Sequence, residues 1–286
     1  LAMAAHVITG GKRARGMMSV MVCEALGGNP SDALVAACVV ELCHAASLVK
    51  YDVQDHDEQR RGGLSFWKLF GLEMATLVPD VIVPHAALFT KCYGPRALMS
   101  VIGAWANIAK GQLMDYPGVP LAGIRGGDLY QQVVSLKTAP LFECAAELGV
   151  RAARKDWFLG PSKQYGAQAG AAFQVYDDVC DLYQAQGKPW EVMGKKGPLP
   201  MSMQALRTRL KGISMVRWED VTATAQIGEA YLDQAVTAAR AFPDSPVRQH
   251  LVDLPGMSCR ALLAEVIPHE ILDMGKIPGI PAALTA

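Results

Sequence analysis

The first stretch suited to metal chemistry is KYDVQDHDEQRRGG, residues 50–63. On a helix, Asp52 and Asp55 are three residues apart and therefore share one face. Tyr51 stands where a further carboxylate would complete the ligand set, and the cationic pair Arg60 and Arg61 follows. The stretch is either a magnesium site with one ligand missing or a solvated charge cluster at a helix end.

The second stretch is AFQVYDDVCDLYQ, residues 172–184, which places Asp177, Asp178 and Asp181 on an apolar helix one turn after Gln174. Crowded carboxylates on the inner side of a helix carry a large desolvation cost unless a cation compensates them. Hard oxygen ligands suit Mg²⁺, whose remaining ligands are water and substrate phosphate. The alternative is a helix face that meets water. Two acidic helices that face each other across a bundle could hold several Mg²⁺ ions and a diphosphate.

Two further segments supply cations. GGKRARG, residues 10–16, offers Lys12, Arg13 and Arg15 beside a flexible glycine pair, a composition suited to a diphosphate although basic surface turns are also common. Lys137 lies beside Thr138 in the apolar run VVSLKTAPLF, where a buried amine needs an anionic partner. Pro140, two residues later, predicts a kink in this helix.

Helices are the elements that must position these groups. Apolar residues recur at helical spacing from Val35 to Val53, which predicts a helix with one apolar face. Further helices are predicted within 96–115, 128–149, 161–185, 200–211 and 220–241, and the alternation typical of strands is hard to find. The predicted fold class is all-α. Glycine and proline clusters at 27–30, 60–63, 117–127 and 194–200 predict breaks, but none marks a domain boundary.

Composition narrows the classes of function. With 286 residues, of which 51% are hydrophobic, the chain can bury a large core. Lys plus Arg and Asp plus Glu both number 27, so there is no overall field for nucleic acid or an anionic membrane. The seven cysteines include no CxxC pair, which favours a reducing cytoplasm over disulfides or a zinc site. Charges, prolines and glycines interrupt each apolar run, so no transmembrane segment is expected.

The segments together, in this order, resemble the trans-isoprenyl diphosphate synthases, also called polyprenyl synthetases. The resemblance runs from GGKRARG at 10–16 through ELCHAASLVKYDVQDHDEQRRGG at 41–63, AKGQLMDY at 109–116 and SLKTAPLFECAAELG at 135–149 to YGAQAGAAFQVYDDVCDLY at 165–183. It implies an isoprenoid-synthase-type helical bundle around a central apolar cavity, as one domain over 1–286 with an incomplete N-terminal helix. A homodimer is also implied.

The implied reaction joins an allylic prenyl diphosphate to isopentenyl diphosphate with Mg²⁺ as cofactor. The allylic diphosphate departs to leave a carbocation, the double bond of isopentenyl diphosphate attacks it, and a proton is lost. By position in the motifs, the acceptor diphosphate site would comprise Gly11, Lys12, Arg15, His44 and Arg61. The metal and donor diphosphate site would comprise Asp52, Asp55, Arg60, Lys137, Thr138, Gln174, Asp177, Asp178, Asp181 and Lys195. The metal ligands among these would be Asp52, Asp55, Asp177, Asp178 and Asp181.

The sequence departs from the family pattern in its first acidic motif. The family has His, Asp and Asp where this chain has Lys50, Tyr51 and Asp52, and a phenol is a poor magnesium ligand near neutral pH. Lys50 would add positive charge where a carboxylate is missing. Two other hypotheses therefore remain: a terpene synthase that ionises a single prenyl diphosphate, and a noncatalytic regulatory subunit of a prenyl diphosphate synthase.

Product length is indicated only by Ala46 and Ser47, which are small where short-product relatives often have aromatic residues. This weakly favours a geranylgeranyl or longer chain, and simple helix packing is the alternative.

Overall fold

The computed structural model describes residues 2–118, 128–194, 199–212 and 214–278. The regular elements of this part of the chain are helices apart from one short hairpin, which confirms the all-α prediction. The helices are α1 (Ala2–Ile8), α2 (Ala14–Ala25), α3 (Leu34–Gln54), α4 (Phe66–Phe70), α5 (Leu72–Phe89), α6 (Pro95–Asp115), α7 (Leu129–Lys137), α8 (Ala139–Ala152), α9 (Leu159–Gln184), α10 (Met201–Arg209), α11 (Trp218–Ala239), α12 (Pro246–Leu263) and α13 (His269–Asp273). Strands β1 (Gln59–Arg60) and β2 (Gly63–Leu64) form an antiparallel hairpin.

Helix α9 runs through the middle of the bundle. It packs against α8, α11 and α12, while α2 packs against α8 and α3 packs against α2 and α5. One apolar cluster contains Tyr165 from α9 with residues of α2, α3 and α8. A second contains Tyr176 and Val179 from α9 with residues of α11. Because α9 enters both clusters, its acidic C-terminal half has a fixed position in the bundle.

The predicted helices at 35–53, 96–115, 161–185, 200–211 and 220–241 correspond to α3, α6, α9, α10 and α11. The single helix predicted over 128–149 is wrong, since the chain forms α7 and α8 with a break at Thr138 (φ −119°, ψ −41°). Pro140 lies in the first turn of α8, where a missing N–H costs no hydrogen bond. The chain therefore breaks at the residue after Lys137 instead of kinking at the proline.

Helix α5 was not predicted because Pro79 and Pro84 lie inside it. With the turn that follows, it spans Leu72–Tyr93 and is long and apolar enough to cross a membrane; the segment Pro30–Gln54 also passes this test. Both segments contain charged residues, and Leu72–Tyr93 also contains Pro79 and Pro84, so the interruptions expected from the sequence are present in them. Length and composition are weak evidence of a membrane span, because core helices of soluble proteins share them.

Candidate functional site

A cavity of ≈ 880 Å³ lies between α3, α6, α9 and α10, and it collects nearly all the predicted site residues. Those on its wall are Gly11, Lys12, Arg15, His44, Asp55, Arg60, Arg61, Lys137, Thr138, Gln174, Asp177, Asp178 and Asp181. Two are not among them. Lys195 lies outside the described residues, and Asp52 lines a second, smaller cavity of ≈ 460 Å³.

Asp52 is turned away from the main cavity. The stripe of α3 that lines the main cavity includes His44, Tyr51 and Asp55, whereas Asp52 is 2% exposed. Its carboxylate accepts hydrogen bonds from Nε of Arg60 at 2.8 Å and from Nη2 of the same residue. Burial raises the pKa of Asp52, and the Arg60 guanidinium opposes that rise. Asp52 therefore does not line the main cavity with Asp55, although the two carboxylates still interact electrostatically, and its contacts are those of a residue that holds Arg60.

Two adjacent arginines of the β1–β2 hairpin, Arg60 and Arg61, contact different segments of the chain. Arg61 and Gly62 occupy its turn with φ of 55° and 78°, the left-handed geometry of two-residue hairpin turns. Arg60 contacts Asp52, and Arg61 donates from Nη1 to the carbonyl of Thr9 at 2.5 Å. Sequence neighbours thus contact different segments, Arg60 a residue of α3 and Arg61 the residue that follows α1.

Gly11 makes room for the Arg61 side chain. Its φ is 88°, and an added Cβ would lie 2.7 Å from Nη2 of Arg61. Only glycine combines this backbone conformation with so close an approach. Gly11 therefore brings the loop before α2 against the hairpin.

Cations from this loop and from α2 form one wall of the cavity. Lys12 pairs with Glu265 at 3.0 Å. The Arg15 guanidinium lies 4.3 Å above the Phe142 ring, and its Nε has no hydrogen-bond partner among the described residues. Burial lowers the pKa of Arg15 to about 10, so the side chain is still charged at neutral pH. An unpartnered charged donor in a cavity is suited to an anionic ligand.

His44 faces the same wall as a neutral imidazole. Burial lowers its pKa well below the ordinary value, and the positive charges of Arg15 and Arg61 lower it further. A neutral ring offers one N–H donor and one acceptor. His44 can therefore donate to a phosphate oxygen without adding charge.

Lys137 stands on the opposite wall, at the C-terminal end of α7. Its Nζ lies 2.8 Å from Oδ2 of Asp115, whose Oδ1 accepts from the backbone N–H of Ser202 at 2.8 Å. Burial alone would lower the pKa of Lys137, but the carboxylates of Asp115 and Asp55 raise it above its usual value. A Cβ on Gly111 would lie 2.6 Å from the backbone nitrogen of Lys137, so a glycine in α6 permits this close contact with α7.

A chain of hydrogen bonds continues from the break between α7 and α8. The Thr138 hydroxyl donates to Oε1 of Gln174, and Nε2 of Gln174 donates to Oδ1 of Asp178 at 3.1 Å. The Tyr130 hydroxyl donates to Oδ2 of Asp178 at 2.6 Å. Burial raises the pKa of Asp178 well above its usual value. Asp178 is thus bonded through both of its oxygens, whereas Asp177 and Asp181 are one helical turn apart on the cavity side of α9.

Lys50 and Tyr51, the two residues that depart from the family pattern in the first acidic motif, contact different parts of the protein. Lys50 pairs with Asp80 of α5 at 2.8 Å and is not on the wall of the main cavity. The expectation that Lys50 adds charge to the site is therefore wrong, because its amine reaches another helix. Tyr51 does line the cavity, and burial raises its pKa to about 12, so it is a neutral phenol.

The carboxylates on the cavity wall can be compared with the ligands that a divalent metal ion requires. Within 2–118, 128–194, 199–212 and 214–278, no group of three or more carboxylate, histidine or cysteine side chains could hold a metal ion by itself. Asp55 faces the cavity from α3, and Asp177 and Asp181 face it from α9. These hard oxygen ligands fit Mg²⁺, which is commonly bound by one or two carboxylates and completed by water and substrate phosphate.

Several residues of the cavity wall were not predicted from the sequence. Glu41 and Glu265 pair with Arg13 and Lys12 respectively. Gln112 donates to Oδ1 of Asp55, and Asp115 pairs with Lys137. The segment AKGQLMDY was part of the family resemblance, which is a signal for Gln112 and Asp115. Nothing in the local sequence around Glu265 indicates that the end of α12 reaches the loop before α2.

Comparison with known proteins gives matches over much of the chain. The family model described as polyprenyl synthetase matches residues 1–197. Octaprenyl diphosphate synthase of Escherichia coli is 30% identical over 282 residues, which cover 86% of this chain and 84% of that protein. The short chain isoprenyl diphosphate synthase of Methanothermobacter thermautotrophicus is 32% identical over 194 residues, or 64% of this chain and 59% of that protein. The chain thus matches less than two thirds of the length of some relatives.

Solved structures share the fold. A decaprenyl diphosphate synthase from Rhodobacter capsulatus superposes with a TM-score of 0.73 at 26% identity, covering 91% of this chain and 89% of that one. A polyprenyl synthase from Caulobacter crescentus, solved with calcium and isoprenyl diphosphate, gives 0.74 at 23% identity over 90% and 88% of the two chains. The second likeness shows the fold alone.

Proposed function

The chain belongs to the polyprenyl synthetase family, and from this membership we propose that it is a Mg²⁺-dependent prenyltransferase. It condenses an allylic prenyl diphosphate with isopentenyl diphosphate to give a longer prenyl diphosphate. The observation that supports this is a single cavity with cationic groups on two separate walls, Arg15 on one and Lys137 on the other. Two anionic substrates can therefore be held at once, which a condensation requires.

The donor side is built around Lys137. Its ammonium binds the allylic diphosphate, and the Thr138 hydroxyl, which donates to Oε1 of Gln174 in this structure, exchanges that partner for a phosphate oxygen. Asp55, Asp177 and Asp181 would hold Mg²⁺, which would neutralise the negative charge on the leaving diphosphate. Asp52 positions Arg60 at the rim.

The acceptor side is built around Arg15. Arg15, Lys12 and Arg61 bind the diphosphate of isopentenyl diphosphate, and His44 donates a further hydrogen bond. Between the two sides the wall is apolar and includes Leu48, Leu141 and Phe173. These side chains exclude water from the allylic carbocation, so the double bond of the acceptor attacks it in preference to water.

The product is a geranylgeranyl or longer chain. Ser47 lies on the wall of the cavity, where a small side chain leaves depth for a growing prenyl tail. Ala46 is fully buried in the core between α3 and its neighbours, so only one of the two small residues supports this assignment.

The active form is a homodimer. Leu77 and Val81 of α5 are 55% and 60% exposed, and Met99 of α6 is 66% exposed. Exposed apolar residues concentrated on two neighbouring helices are typical of a subunit interface. The partner is a second copy of the chain, which covers this face.

The test is a mass-spectrometric product assay. The purified protein is incubated with Mg²⁺, isopentenyl diphosphate and dimethylallyl, geranyl or farnesyl diphosphate in turn, and a longer prenyl diphosphate is expected with at least one donor. Lys137→Gln should abolish the product, whereas Lys110→Gln, on an exposed part of α6, should not. No elongation with any donor would contradict the proposal.

The same assay distinguishes the two other hypotheses. A terpene synthase releases hydrocarbon or alcohol from one donor without isopentenyl diphosphate. A regulatory subunit gives no turnover alone and changes the products of an active homologue.

A further inference from the structure

The Tyr51 hydroxyl is a buried polar group without a hydrogen bond. Its oxygen has no partner among the described residues and no contact with solvent, although the side chain is part of the cavity wall. An unpaired buried hydroxyl is destabilising. A group of this kind in a binding cavity is expected to gain its partner from the ligand.

The charged residues around Tyr51 indicate that this ligand is an anion. Lys137 places its Nζ 6.0 Å from the centre of the Tyr51 ring. Lys137 and Arg15 act electrostatically on the phenol from the donor and acceptor walls respectively, and the carboxylates of Asp55 and Asp115 act on it in the opposite sense. The effect of Lys137 is the largest of the four. An anion held by Lys137 would therefore lie beside the ring.

The Tyr51 phenol is suited to donate a hydrogen bond and not to coordinate a metal ion. A tyrosine hydroxyl keeps its proton near neutral pH, and a neutral phenol is a poor ligand for a hard divalent ion. The same O–H is a good donor to a charged phosphate oxygen. Because the oxygen is covered in this structure, a side chain of the cavity wall must rotate to expose it.

We propose that Tyr51 binds the diphosphate of the donor substrate directly, by donating a hydrogen bond to a phosphate oxygen next to Lys137. The inference rests on the proposed function, since it assigns a binding residue within that site. The contact needs no metal ion, and it comes from the α3 side of the cavity, which Asp55 also lines. Donor binding in this chain then depends less on Mg²⁺ than it would with a carboxylate at position 51.

The test is calorimetric titration with inorganic pyrophosphate, the leaving group of the donor, once in EDTA and once in Mg²⁺. Tyr51→Phe removes only the hydroxyl and should weaken pyrophosphate binding about tenfold in both conditions. Binding of isopentenyl diphosphate should be unchanged. The matched control is Tyr183→Phe, since Tyr183 packs edge-on against Trp218 and is not on the cavity wall.

Thermal melting gives a second measurement that does not depend on activity. Without ligand, Tyr51→Phe should melt at the same temperature as the unaltered protein or higher, because it loses an unsatisfied buried group. With pyrophosphate, its gain in melting temperature should be smaller.

Three results would overturn the proposal: unchanged pyrophosphate affinity, a loss seen only with Mg²⁺, or an equal loss for isopentenyl diphosphate. None of them bears on elongation by the unaltered protein. The product assay therefore judges the proposed function separately.

Discussion

Asp115 and Lys137 form an ion pair of 2.8 Å between α6 and α7, and the same carboxylate accepts the backbone N–H of Ser202 in the first turn of α10. One side chain therefore ties together three helices that line the cavity. It also holds the amine that would bind the donor diphosphate. The lysine alone was predicted from the sequence, but its position depends on a residue 22 positions away in the chain.

The variant Asp115→Asn should lower both stability and donor binding. It keeps the shape of the side chain and removes the charge that compensates Lys137, so the free energy of unfolding should fall by about 2 kcal/mol. KM for the allylic donor should rise more than KM for isopentenyl diphosphate. Urea unfolding and steady-state kinetics measure the two effects.

The control for Asp115→Asn is Asp244→Asn. Asp244 pairs with Arg248 on the surface at 2.6 Å, with 89% of its side chain exposed. Exposed pairs contribute at most about 1 kcal/mol, so this variant should change little. Equal losses for the two variants would contradict the role assigned to Asp115.

His44 should make stability depend on pH on the acidic side of neutrality. The folded-state pKa lies well below 6.5 because of burial and the neighbouring arginines, so the unfolded chain binds a proton first. The stability due to the neutral ring is present above about pH 6.5 and is lost as the pH falls below it. Between pH 7 and pH 5.5 the unaltered protein should lose about 1 kcal/mol relative to His44→Gln.

Urea unfolding of the ligand-free protein at several pH values measures this difference. His250→Gln, on an exposed part of α12, is the control and should follow the pH dependence of the unaltered protein. Parallel pH profiles for His44→Gln and the unaltered protein would contradict a neutral, buried His44.

Charged residues on the outer face of α5 should separate the subunits. The double variant Leu77→Glu/Val81→Glu places two carboxylates on the exposed apolar face that we assign to the dimer, where desolvation opposes association. Light scattering coupled to gel filtration should show a change from dimer to monomer. Met257→Glu, at a residue of α12 that is 54% exposed, should leave the dimer intact, and a monomeric unaltered protein would refute the assignment.

Regular spacing predicted α3, α6, α9 and α11, the four longest helices of the described residues, but not the orientation of neighbouring side chains on them. Asp52 and Asp55 were expected to act together because they are one turn apart. The hairpin turn at Arg61 and Gly62 brings Arg60 back onto Asp52, so a contact between separate elements, which the spacing does not reveal, occupies one of the two aspartates. The partner of Lys50 is Asp80, on a helix hidden from sequence analysis by its two prolines.

Gly11→Ala should impair the acceptor side of the cavity through its contact with Arg61. Two effects combine at this position: a φ of 88°, which strains any other residue, and an added Cβ 2.7 Å from Nη2 of Arg61. The Arg61 guanidinium must move, so KM for isopentenyl diphosphate should rise about tenfold while KM for the donor changes less.

Gly94→Ala separates the two effects, because Gly94 has a φ of 92° but open space around its missing Cβ. This control should lose about 1 kcal/mol of stability to backbone strain without a change in KM. If both variants raise KM for isopentenyl diphosphate equally, strain and not the Arg61 contact explains why the chain has glycine at position 11.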